Sequence, residues 1–235
     1  MTLTEIMLQL QQWGSESTKN ILVKHGAREP FFGVKIEDLK KIQKKIKSDY
    51  QLSLELFNTG NSDAMYLAGL IADPAKMTRT DLTYWVERAY WYMISEFTVA
   101  WVASESPLGT ELALEWIESD KENIAASGWS TLASIIALKS DEEIDISLYK
   151  MLLERVSKTI HTEKNRVRYV MNAFVISVGG YSLQLADEAK KTATTIGLVK
   201  VDIGGTACKV PLATDYITKM HNRGTLGKKR KTAIC

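Results

Sequence analysis

The chain has 235 residues, 45% apolar and 25% charged, with a formal net charge of +2, values that fit a soluble globular protein of one large or two small domains. Cys208 and Cys235, with His25, His161 and His221, show no ligand spacing, so no disulfide framework, metal site or cofactor is expected. No apolar run reaches the roughly 18 residues of a membrane span, and the start Met1-Thr2-Leu3-Thr4-Glu5-Ile6 reads as an amphipathic helix, which points to the cytoplasm and away from the membrane.

Apolar residues recur at helical spacing over almost the whole length. The first helix, Thr4 to Trp13, stops at Gly14, and the second, Glu16 to His25, stops at Gly26. After the turn Arg28-Glu29-Pro30-Phe31-Phe32-Gly33, the helix Ile36 to Lys47 has Ile36, Leu39, Ile42 and Ile46 in one stripe. Its other face carries Lys40, Lys41, Lys44, Lys45 and Lys47, which reads either as a solvated face or as a second phosphate-contacting patch. Tyr50 to Asn58 follows; Ser62 is expected to cap Asp63 to Ala72, and Thr80 to cap Asp81 to Tyr90. The runs Trp91 to Ala103, Thr110 to Ile117, Asn123 to Leu138, Ile146 to Ile160, Asn165 to Val178, Ser182 to Ile196 and Thr214 to His221 complete the series.

Successive short helix pairs, each too small to bury its own face, point to an all-α architecture, an α-α superhelix of HEAT-like or ARM type. The expected organisation is a single domain over 1–224, followed by a basic, flexible tail over 225–235. An irregular all-α globule is the alternative.

The one β signal lies at Leu198 to Leu212, two alternating runs joined by Gly204-Gly205, which suits a hairpin with a type I′ turn. That register places Lys200 opposite Lys209, and Val199, Val201, Ile203, Thr206, Cys208 and Val210 on the other face. Like charges facing each other are unfavourable, so the ribbon is expected to present both lysines to an external anion, or else to cover the end of the helix stack. The charge is also polarised. Residues 161–235 hold 13 Lys and Arg against 5 Asp and Glu, whereas 1–160 hold 17 against 23. A basic third attached to an acidic remainder suggests a polyanionic partner.

Phe32-Gly33-Val34-Lys35-Ile36-Glu37-Asp38-Leu39-Lys40-Lys41-Ile42 resembles the Gly-Val-x-x-Pro-x-Leu-Arg-Lys-Ile opening of the DNA alkylation repair family, HEAT-like repeat glycosylases of the AlkC and AlkD type. Leu70-Ile71-Ala72-Asp73-Pro74, Trp85-Val86 and Asn165-Arg166-Val167-Arg168 continue the likeness over most of the chain. In that family an aromatic segment reads Ser-Trp-Asp-x-x-Asp, the Trp contacting the lesion and the last Asp stabilising the sugar cation as the base leaves. The matching stretch here is Trp91-Tyr92-Met93-Ile94-Ser95-Glu96, so Tyr92 stands for the Trp and Glu96 for the catalytic Asp. The family's Arg position falls near Gly128, and its second Trp near Ala173. These departures, with the expected hairpin, are similar to the AlkF and AlkG branch, in which the glycosylase residues are absent and branched DNA such as a four-way junction is bound.

The resulting expectation is a monomeric DNA-binding protein that grips branched or junction DNA by backbone and shape without base excision. Lys164, Arg166, Arg168, Lys190, Lys191, Lys200 and Lys209 are the expected contacts. A glycosylase removing cationic N3- or N7-alkylated purines, with Glu96 and Tyr92 as its site, is the alternative, and a protein-interaction scaffold a further one.

Overall fold

A computed structural model describes Met1–Ile234. It contains α1 (Leu3–Trp13), α2 (Glu16–Lys24), α3 (Ile36–Ile46), α4 (Tyr50–Asn58), α5 (Ser62–Ile71) and α6 (Arg79–Arg88). A π-helical segment, Met93–Val99, then runs directly into α7 (Ala100–Glu105). After it come α8 (Gly109–Trp116), α9 (Glu122–Leu138), α10 (Ile146–Thr159), α11 (Asn165–Tyr181), α12 (Ala186–Ile196) and α13 (Ala213–Asn222). Among the described residues no helix is long and apolar enough to cross a membrane.

Local chemistry sets where these helices begin. Thr2 with Glu5 and Thr78 with Asp81 form capping boxes at α1 and α6. Ser15, Asp49 and Asp145 cap α2, α4 and α10. Two expected caps are displaced: Asn61, not Ser62, accepts the first N–H groups of α5, and Thr78, not Thr80, those of α6. Ser62 and Thr80 already lie within their helices, whereas a capping side chain must come from the extended residue just outside.

The helices stack in two layers. α5, the π segment with α7, α9 and α11 lie side by side in chain order. α4, α8 and α12 back α5, α9 and α11, while α3 leans on α5 and α13 closes against α11 and α12. Large side chains fill the space between helices: Phe57 stacks on Trp85 at 4.2 Å, and Phe174 meets Trp129 and Tyr149 at 5.2 and 5.7 Å. Where backbones come closest, glycine is required. A Cβ on Gly128 of α9 would stand 2.8 Å from the Ala113 carbonyl oxygen and the Ile117 N of the α8 end.

The hairpin expected at 198–212 is absent; among the described residues there is no strand. Gly204 has φ of +68°, but Gly205 does not adopt the second left-handed position that a type I′ turn needs. The alternation survives for a different reason. Val199 is buried and Val201 and Val210 pack against the helical core, while Lys200 and Lys209 are exposed. Backbone groups of the segment are bonded to side chains of α11. The Asn165 side chain both donates to the Asp202 carbonyl and accepts the Asp202 N–H, each at 2.7 Å, and Asn172 donates to the Pro211 carbonyl at 2.8 Å. The segment is therefore a strap on α11. Its tip reaches the end of α2, where a Cβ on Gly204 would stand 3.3 Å from the Lys24 carbonyl oxygen.

The tail expected to be flexible is packed. Lys229 donates to the Ile136 carbonyl at 3.0 Å, at the C-terminal end of α9, and to Asp141 at 2.9 Å. The Arg230 N–H bonds the Ala137 carbonyl, Glu105 accepts from the Ala233 N–H, and Ala233 is buried. Burial acts against the Asp141 charge, but Lys229 and the nearby backbone N–H groups hold its carboxyl below the ordinary carboxylate range. A carboxyl with a depressed folded pKa stabilises above its unfolded pKa and loses that stabilisation as pH falls. Lys229→Ala is expected to cost about 1–3 kcal/mol at pH 7. The gap from wild type should narrow below about pH 4 as Asp141 takes up a proton, which denaturant unfolding at both pH values would measure.

Candidate functional site

A cleft of about 460 Å³ opens beside the N-terminal ends of α9 and α11. Its walls include His25 and Arg28 after α2, Tyr90 to Tyr92, Ser95 and Glu96 of the π segment, Glu122 and Asn123 of α9, and Arg166 of α11. Asp202, Ile203 and Gly204 of the strap close one side. Beyond Tyr92, Arg166 and Ile203 lies a smaller hollow of about 80 Å³, bordered also by Tyr169 and Cys208.

Each wall is held by identifiable bonds. The loop before α3 is pinned by the buried Asp63, whose carboxylate accepts the N–H groups of Phe32, Gly33 and Val34 at 2.6, 3.0 and 3.2 Å. Burial raises the Asp63 carboxyl, and these three donors favour its charged form. Gly33 sits at φ +77°, with Ser15 and Lys19 where a side chain would be, so glycine is required. The π turn leaves carbonyls without their usual helical partners. Ser127 of α9 takes up one of them, donating to the Ser95 carbonyl at 2.6 Å. Asn123 donates to the Ala89 carbonyl at 2.9 Å, fixing α9 to the end of α6.

At the centre is an ion pair. Arg166 donates from Nε to Glu96 Oε1 at 2.7 Å and from Nη2 to Oε2 at 2.5 Å. The Glu96 side chain is 3% exposed and that of Arg166 21%. The guanidinium lies over the rings of Tyr92 and Tyr169, 4.4 Å from each centroid. The Tyr92 hydroxyl meets His25 Nδ1 at 3.2 Å. Burial pushes the Glu96 carboxyl above the ordinary range, while the two bonds from Arg166 pull it back toward the ionised form. Glu122 accepts the Arg166 backbone N–H at 2.8 Å, which seats the start of α11.

Of the residues singled out in the sequence, Tyr92, Glu96 and Arg166 meet in this cleft. The others do not line it. Lys164 donates to the Asp120 carbonyl and caps the loop before α9. Arg168 is half-buried; its Nη2 meets Asn165 Oδ1 at 3.4 Å, and its Nε has no partner. Lys190 and Lys191 are exposed on α12, in the second layer. Lys200 and Lys209 are exposed on the two arms of the strap. Gly128 faces α8, so no arginine could reach the cleft from there. Sequence reasoning missed His25, Arg28 and Asn123, which come to the cleft from segments far apart in the chain. Among the described residues no cluster of three or more His, Cys, Asp or Glu could hold a metal.

A two-layered stack of helix pairs around a charged cleft defines the class as an α-α superhelix. Residues 6–192 match the family of the DNA alkylation repair enzyme, and the chain belongs to that family. It is 34% identical over 229 residues to the uncharacterized protein Lmo0209 of Listeria monocytogenes serovar 1/2a, covering 95% of this chain and 99% of that one. It is 33% identical, with the same coverage, to the uncharacterized protein Lin0241 of Listeria innocua serovar 6a. A solved structure matches over 100% of both chains with a TM-score of 0.92 and 37% identity. It belongs to a new family of proteins related to the HEAT-like repeat DNA glycosylases with affinity for branched DNA structures. The fold is accordingly all-helical and HEAT-like.

Removing one member of a buried ion pair strands the other. Arg166→Ala is therefore expected to cost roughly 3–5 kcal/mol, whereas Glu96→Leu with Arg166→Met, which fills the space without charge, should cost little. Urea unfolding of the two variants checks the difference.

Proposed function

We propose that this protein binds DNA, with preference for branched structures, through the phosphate backbone and the shape of the junction, and does not excise bases. The observation that carries the reading is the full-length likeness, at 37% identity, to a protein of a family with affinity for branched DNA. The site supports the binding half of the proposal through its rim. Arg28, Lys200 and Lys209 are exposed cations on the segments that flank or close the cleft. Phosphate contacts of this kind carry affinity without sequence information.

The ion pair supports the absence of excision. A carboxylate that stabilises a departing sugar cation must point, charged, at the reacting centre. Glu96 has both oxygens bonded to Arg166 and is almost fully buried. Its charge is already neutralised.

Lys200→Ala combined with Lys209→Ala is expected to weaken binding to a four-way junction and to flatten the slope of log affinity against log salt by up to about 2, one unit for each phosphate left without its lysine. The melting temperature should be unchanged, because both side chains are exposed. Fluorescence anisotropy at several salt concentrations reads this directly, and an unaltered salt slope removes the strap lysines from the interface.

A further inference from the structure

The cleft carries opposing charges at close quarters. Arg28, Arg166 and His25 line it, yet Glu96, Glu122 and Asp202 border the same space. The carboxylates differ in what they hold. Glu122 accepts a backbone N–H of α11 and Asp202 accepts the Gly204 N–H within the strap, whereas Glu96 alone of the three engages a guanidinium.

The form of that engagement matters. A guanidinium offers a planar fork of N–H donors that fits a carboxylate and a phosphate in the same bidentate manner. Glu96 thus occupies, through Nε and Nη2, an edge that a phosphate oxygen pair could use. Arg166 is within reach of solvent, at 21% exposure, and it borders both the cleft and the hollow beyond it. Tyr92 and Tyr169 both pack against the guanidinium, each ring centroid 4.4 Å away. It cannot turn to a phosphate without uncovering the Glu96 charge, and an unpaired charge in a dry site is strongly disfavoured.

We propose that Glu96 is an internal counter-anion that withholds Arg166 from the DNA backbone and so sets the affinity of this protein for DNA below what its cleft could reach. This rests on the DNA-binding reading above. Glu96 is then an affinity-setting residue and takes no part in acid or base chemistry. The neutral isostere glutamine at position 96 would leave Arg166 with a full positive charge beside the cleft, held in place by the two tyrosines and free to accept a phosphate.

The test is the affinity of Glu96→Gln for a four-way junction and for linear duplex, measured at two salt concentrations beside the wild-type protein. The expected result is a gain of roughly 5- to 10-fold at low salt, with the salt slope steeper by about 1, the signature of one more phosphate neutralised. The gain must run through the guanidinium, so adding Arg166→Gln should abolish it. Should Glu96→Gln fail to fold, Glu96→Met, which keeps the volume and removes the charge, takes its place. A folded, uncharged variant that binds no tighter than wild type overturns the proposal, as does a gain that survives the loss of Arg166. A wild type that binds DNA with no gain in the variant leaves the DNA-binding reading standing and removes only this inference. No binding by either protein removes both.

Discussion

The bond from Arg166 to Glu96 spans 70 positions of sequence and joins the π segment to the first turn of α11. α9 lies between these two elements and packs against both. An ion pair across a neighbour fixes the relative position of three successive members of the inner row, because its two parallel hydrogen bonds tolerate little change in distance or angle. The pair is also where the charges of the cleft are resolved. Without it, a buried carboxylate and a guanidinium packed against two aromatic rings would each lack a counter-charge.

The same end of α11 serves the strap. Asn165, one residue before Arg166, holds Asp202 by both of its backbone groups, and Asn172, two turns further on, holds Pro211. One helix thus fixes the cleft's central cation and the chain that covers its side. The strap continues to the end of α2 at Gly204, so the cleft is closed by segments from near both ends of the chain. A site built in this way has a fixed shape and carries cations at its rim.

The helices were legible because their signal is local. Periodic apolar residues, glycine stops and Pro74 marked nearly every element. Caps were legible only to within a residue or two, since Ser62 and Thr80 have the same chemistry as the true caps Asn61 and Thr78 but lie inside the helices. The strap was misread for a stronger reason. Alternation reports that one face of a segment is buried, not what buries it, and here the partner is helical. Asn165 and Asn172, seven apart on α11, are the side chains that anchor the strap. The tail was misread because a run of four basic residues looks solvated. Only the fold brings Asp141 and the carbonyl end of α9 to Lys229. That Glu96 pairs with an arginine is an ordinary reading of a helix-end carboxylate, but the partner, Arg166, 70 positions away, is not given by spacing.

Family resemblance placed Glu96 where related glycosylases carry a catalytic aspartate, and the structure explains what the longer side chain does there. A carboxylate useful to a forming sugar cation must keep its charge uncompensated by the protein and face the substrate, because electrostatic catalysis depends on groups held in place before the reaction. With one more methylene, and on a π turn that brings it against α11, Glu96 reaches the guanidinium with both oxygens. Burial then favours keeping the pair, since separating it would leave the Glu96 charge, 3% exposed, without compensation. The carboxylate keeps its place, and both of its oxygens are engaged by a neighbouring guanidinium.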